Sequence, residues 1–179
     1  MAIRLRPLDV DDLDLVWREL LAEDARWARP PRPGAKRRLR ARLERSGHFS
    51  YGLLELGIED AGRLVGTIQA RRPEHGLPAG VFELGIGLFQ GERGRGVGRE
   101  AIAQFTELLV RRHRAHRVQA STWVENAAMR RVLEILGWRL EGVMREFMPA
   151  RDGELDDYVL YAITKSDLDT SGVSRRNVS

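Results

Sequence analysis

Residues 81–103, VFELGIGLFQGERGRGVGREAIA, limit the fold more than any other stretch of the chain. Strand alternation puts Phe82, Leu84, Ile86 and Leu88 on one face and leaves Glu83, Gly85, Gly87 and Phe89 on the other. The strand then passes through a glycine-arginine turn directly into a helix whose apolar stripe is Ala101, Ile102, Phe105, Leu108 and Leu109. A connection built only for stability needs one short polar loop and a cap residue. These glycines instead clear side chains from the end of a strand and the start of a helix, as a ligand lying against backbone would require.

Three nucleotide-binding templates fail. No Gly-Lys-Ser/Thr ending of a P-loop occurs, and the dinucleotide fingerprint beginning at Gly94 and Gly96 would need a glycine where Arg99 stands. A kinase-type glycine loop lacks its downstream partners. What remains is RGRGVG: Arg93, Gly94, Arg95, Gly96, Val97 and Gly98. Backbone N–H groups at a helix N-terminus, with the helix dipole and two arginines, make a site for an anion such as a pyrophosphate. Glu83, beside two glycines, suits a base next to a ligand; a sheet-edge carboxylate in a salt bridge is the plainer alternative.

Around this unit the chain reads as a mixed α/β domain. IRLRPL (3–8) is a strand, and Asp9 caps a helix with Leu13, Val16, Trp17 and Leu20 on its apolar side. Between Arg26 and Arg45 nine basic residues face one acidic residue, in a proline break and a basic helix. That segment is either an electropositive lip or a solvated helix face. A hairpin follows, turning at Glu59–Gly62, and PEHGLPAG leads to the glycine-bearing strand. HRVQASTWV is a strand, and ENAAMRRVLEILG a helix with Met129, Val132, Leu133 and Leu136 inward and Gly137 past its end. Two strands around Asp152–Gly153 close the fold. Expected are one domain over 1–168 with a mostly antiparallel central sheet flanked by helices, and a disordered tail over 169–179.

Composition narrows the chemistry. With no cysteine there is no disulfide, thiolate metal site or cysteine-bound intermediate, and the four histidines lack metal-ligand spacing, so no metal is expected. No apolar run reaches the roughly 18 residues of a membrane span, and the N-terminus has no signal-peptide core; a cytoplasmic protein is expected. The net charge of +4 favours anionic partners, or reflects genomic base composition through its arginine bias. Basic and aromatic residues do not interleave, so nucleic acid is not an expected partner.

Arg93, Gly96 and Gly98 form an R-x-x-G-x-G pattern, and Asn126 is followed eleven residues later by Gly137 and Trp138. EGVMRE (141–146) precedes DYVLY (157–161). In these three elements the chain resembles the GNAT superfamily of acyl-CoA-dependent N-acyltransferases, over residues 3 to about 165. The last element resembles the branch that acetylates ribosomal-protein N-termini. The resemblance implies that backbone around Leu88 pairs with the pantetheine arm of acetyl-CoA, that residues 93–98 wrap its pyrophosphate, and that Asn126 contacts the pantetheine. Asn126 can cap its helix at the same time. It implies acetyl transfer to a primary amine, of a small molecule or a peptide N-terminus, by direct attack in a ternary complex. Glu83 is then the base. Homodimers are common among such relatives.

The chain departs from the family where the leaving thiolate is protonated. Leu133 and Met129 stand where the relatives carry a tyrosine or a serine, and neither can donate a proton. The thiolate leaves unassisted, or Tyr161 or Tyr158 serves. Asp157, in an apolar strand pattern, either receives the substrate amine or pairs with Arg145. The departure also leaves room for a non-catalytic acyl-CoA-binding regulatory module, or a transferase of another acyl-CoA.

Overall fold

The computed structural model describes residues 2–22, 30–72, 77–150 and 152–170. β1 (Ile3–Arg6) stops short of the expected strand end because Pro7 has no N–H to give a ladder. Asp9 caps the next turn through Asp11 and Asp12 N–H, and a 3-10 turn (Val10–Asp12) runs into α1 (Leu13–Ala22). α2 (Ala35–Leu43) carries the basic run; its neighbours 23–29 lie outside the described residues. β2 (Leu53–Asp60) and β3 (Arg63–Arg71) form the expected hairpin, and β4 (Val81–Leu88) leads to α3 (Val97–His113). β5 (Arg117–Trp123), α4 (Ala127–Ile135), β6 (Arg139–Pro149), β7 (Leu155–Thr164) and α5 (Lys165–Thr170) complete the chain.

The strands form one seven-stranded sheet in the order β1-β2-β3-β4-β5-β7-β6. Among the described residues only β4 and β5 pair in parallel and all other neighbours are antiparallel, in keeping with the mostly antiparallel sheet expected. α3 lies against one face, where Ile102, Phe105 and Leu109 meet Ile58, Ile68, Phe82 and Val118 in the main core. Burying each such side chain contributes roughly 1.5–3 kcal/mol. α4 adds Leu133 to this core, which also holds Tyr161. On the opposite face α1 and α2 make a smaller cluster with Leu8 and Leu64, and Arg42 grips Glu55 of β2 at 2.7 and 2.8 Å. That cluster takes no residue from β5, β6 or β7.

Two expectations change. Leu20, expected on the apolar side of α1, is 52% exposed; Val16 is the residue that is buried there. The chain also forms α5, whose last residues Asp169 and Thr170 had been assigned to the tail; residues 171–179 lie outside the described residues. Thr164 starts α5 by exchanging hydrogen bonds with Asp167.

Candidate functional site

β4 and β5 pair only from Val81/Arg117 to Glu83/Gln119. Beyond that point each strand continues, β4 paired to β3 as far as Leu88 and β5 paired to β7 as far as Trp123. The two strands diverge and leave a fork. Phe89 N–H donates to Val65 O, which fixes the phase of the β3–β4 ladder. Alternation in an antiparallel ladder then turns the N–H and C=O of Ile86 and Leu88 away from β3 and into the fork. This is an open strand edge inside the sheet, a place where a linear ligand can add backbone-like hydrogen bonds.

The glycine turn closes one end of the fork. Gly91, Gly94 and Gly96 all take positive φ (86°, 77° and 82°), which explains their identity sterically. Gly96 is the N-cap of α3 and no side chain caps that helix end. The first-turn N–H groups of Val97, Gly98 and Arg99 therefore face an open site at the positive end of the dipole. The two arginines differ. Arg93 Nε reaches Leu88 O at 3.4 Å, at the lip of the fork. Arg95 is tied back to the hairpin end, to Asp60 at 3.3 Å and to Glu92, which also takes Arg63 at 3.1 Å.

Glu83 sits at the point where the strands part. Its Oε1 accepts a 3.4 Å hydrogen bond from Ser121 Oγ on β5, so the two share the sheet face on which α1 and α2 pack. Gly85 lies on that face against Gln69, while a Cβ on Gly87 would meet nothing within 4 Å. Neither φ nor packing requires glycine at 87; the space beside it is simply kept open. Following Ser121 along β5, Trp123 pairs with Tyr158 of β7 on the same face. Burial and the nearby Asp156 charge push the Tyr158 hydroxyl above the ordinary phenol value of 10, so it stays protonated through the neutral range.

The remaining expected residues go elsewhere. Tyr161 is three residues past Tyr158 and so lies on the other face, buried in the main core. Its hydroxyl donates to Glu134 at 2.7 Å and takes a long 3.5 Å bond from Arg130. The structure does not bring it together with Glu83. Asp157 Oδ1 accepts the Glu146 N–H at 2.7 Å, so its partner is a backbone group and not Arg145. Asn126 caps α4 through Met129 N–H at 3.2 Å, and its amide donates to Thr122 Oγ1 at 2.9 Å, fixing it at the end of β5 beside the fork. Ser121, Thr122 and Arg130, which donates to Val124 O at 2.9 Å, were not singled out from the sequence. Their signal is strand register across β4, β5 and β7, which one sequence does not carry.

Residues 2–139 match the family model described as "Acetyltransferase (GNAT) domain". The Bacillus subtilis protein "Probable N-acetyltransferase YjcK" is 26% identical over 126 residues, 70% of this chain and 67% of that one. Among solved structures, the ribosomal-protein-S5-alanine acetyltransferase of Vibrio fischeri superposes with a TM-score of 0.77 at 20% identity, covering 93% of this chain and 95% of that one. Mycobacterium smegmatis RimJ, solved in complex with CoA-disulfide, gives 0.74 at 24% identity, with 95% and 89% covered.

Proposed function

The chain belongs to the acetyltransferase (GNAT) family as an acetyl-CoA-dependent N-acetyltransferase, and on that premise we propose that acetyl-CoA lies in the β4–β5 fork with Glu83 as the base at its closed end. The pantetheine arm pairs with the Ile86 and Leu88 backbone, and a strand N–H there stabilises the thioester oxygen as it becomes an oxyanion. The pyrophosphate lies on the glycine turn and the first turn of α3, with Arg93 beside it; Gly94, Gly96 and Gly98 keep the approach clear. Arg95 serves this site by holding the turn to the hairpin. Asn126 sets the β5–α4 junction on the other side of the arm.

The acceptor is a primary amine, of a small molecule or of a peptide N-terminus, and enters from the face shared by Glu83 and Gly87. Glu83, directly or through a water, takes a proton so that the nitrogen lone pair can attack the thioester carbonyl. The C–N bond forms as the C–S bond breaks, and the thiolate takes a proton. Tyr158 fits the donor role better than Tyr161, because it shares Glu83's face, whereas Tyr161 lies on the other face with its hydroxyl donating to Glu134. With no cysteine in the chain, transfer proceeds in the ternary complex. We place the reaction in the cytoplasm, and expect a homodimer for which edge strand β6, with Leu140 and Val143 exposed, is the suited surface.

The observation that carries this reading is the fork itself: unpaired β4 amides end at an uncapped, glycine-opened helix N-terminus, with a carboxylate where the strands part. The test is thiol release from acetyl-CoA over a panel of primary amines, for the wild type and Glu83→Gln. Turnover reduced by about 10²-fold or more in the variant supports the base. An unchanged rate removes Glu83 from the chemistry, and no turnover by the wild type on any amine removes the reading.

A further inference from the structure

Beside the fork, on the face of Glu83, three strands present a largely apolar row, of which the transfer step uses only the Tyr158 hydroxyl. Trp123 of β5 pairs with Tyr158 of β7, which pairs in turn with Met144 of β6. The next row, toward the point where β4 and β5 part, is Ser121, Leu160 and Gly142, and a Cβ on Gly142 would meet nothing within 4 Å. Phe147 folds onto the Tyr158 ring with centroids 5.5 Å apart and planes at 52°. It does so while 47% exposed. Ser121 bonds Glu83, so the row is continuous with the proposed chemistry.

Phe147 reaches this position because β6 is irregular there. Met144 pairs with Tyr158 and Met148 with Asp156, so β6 carries two more residues than β7 over the same length. The bulge puts Glu146 at φ 52°, a left-handed conformation that a residue other than glycine adopts only when its surroundings hold it. The hold is visible: the Asp157 carboxylate accepts the Glu146 N–H at 2.7 Å. A strained bulge secured by a carboxylate, with an aromatic ring as its visible product, is a device for placing that ring.

We propose that Trp123, Tyr158, Phe147 and Met144 form the wall that selects the acceptor, favouring a primary amine joined to an aromatic or bulky aliphatic group, and that Asp157 is the positioning residue that sets this wall through the Glu146 N–H. This rests on the transferase reading of the Glu83 fork. The acceptor's apolar group covers Phe147 and Tyr158 while its nitrogen reaches Glu83. Asp157 does not touch the acceptor.

The test is calorimetric titration of the protein, with and without CoA, with 3-phenylpropylamine and with propylamine, two amines of similar basicity. The phenyl compound should bind about ten-fold or more tightly, as expected for burying one ring. Phe147→Ala and Asp157→Ala should each lower that preference several-fold, leaving CoA and propylamine affinity unchanged. Asp157→Asn, whose amide oxygen still accepts from the Glu146 N–H, should restore it; a charged role for Asp157 toward the amine would fail in both variants alike. Equal affinity for the two amines, or affinity for neither, overturns the wall. So does Phe147→Ala changing the oligomeric state by light scattering with no change in preference, because the surface then belongs to a second copy. Failure to bind CoA sinks the transferase reading, whereas the amine preference is read in its own titration.

Discussion

Gly87 is a residue whose identity the chain's own packing does not explain. Its φ is not left-handed and a Cβ there would touch nothing within 4 Å, so a larger residue should fold normally. Gly87→Leu is expected to keep its melting temperature within a few degrees while raising KM for the amine about ten-fold or more, since the side chain fills space kept for the acceptor. Unchanged steady-state kinetics would show that the opening is unused. The two arginines make the converse comparison. Arg93→Ala should weaken acetyl-CoA binding by about ten-fold, by loss of one charged contact. Arg95→Ala should instead lower the melting temperature, because Asp60 and Glu92 each lose a charged partner, with little effect on affinity. Calorimetry and thermal melts on both variants decide it. At this scale the sequence was legible where one strand sufficed: Glu83 and the glycines share a face by simple alternation. It was not legible which of Tyr158 and Tyr161 shares Glu83's face: alternation sets the two on opposite faces, but the face each takes depends on how β7 registers with β5, a long-range property.

The elements were legible through their punctuation. Ala61–Gly62, Gly96, Gly137 and Asp152–Gly153 mark turns and helix ends that the structure retains, with positive φ at each of these glycines. α5 was missed because its six residues carry too little periodicity, and its start depends on Thr164 and Asp167 exchanging hydrogen bonds. Divergence of β4 from β5 was not readable as geometry. It arises because each strand finds its continuing partner on its outer side, β3 and β7, and only the first three residue pairs hold them together. Tyr158 belongs to this scale, since strand pairing alone places it. Tyr158→Phe should lower kcat by about 10²-fold while leaving acetyl-CoA affinity intact, the size typical of removing a positioned proton donor. Because its pKa is raised, any alkaline loss of rate due to this group should appear only above the ordinary phenol value of 10. A pH–rate profile checks both statements; a fall-off that Tyr158→Phe abolishes below that value would contradict them.

Across the whole molecule, β1 pairs with β2 along its length, and one arginine adds a tie to β2 and to the first helical turn. Arg6 donates to both carboxylate oxygens of Asp12 at 2.7 and 2.8 Å and to Glu59 at 3.0 Å. The Arg6 hydrogen bond holds the Asp12 carboxyl below its usual 3.8, against an opposing effect of burial. A carboxyl depressed in the folded state contributes stability that is complete above its unfolded value and is lost as pH falls through its folded value. Thermal stability should therefore drop as pH is lowered below about 4, and Asp12→Asn should remove part of that drop while costing about 1 kcal/mol at neutral pH. Melts from pH 7 to pH 3 on both proteins test it, and parallel curves would exclude Asp12. Among the described residues, no helix is long and apolar enough to cross a membrane. If the fork receives acetyl-CoA, the Ile86 and Leu88 amides report on it directly. Hydrogen exchange followed by NMR, with and without saturating acetyl-CoA, should show these two amides exchanging freely alone and protected in the complex, together with those of the glycine turn. Protection elsewhere in the molecule, with the Ile86 and Leu88 amides unchanged while acetyl-CoA is bound, would contradict it.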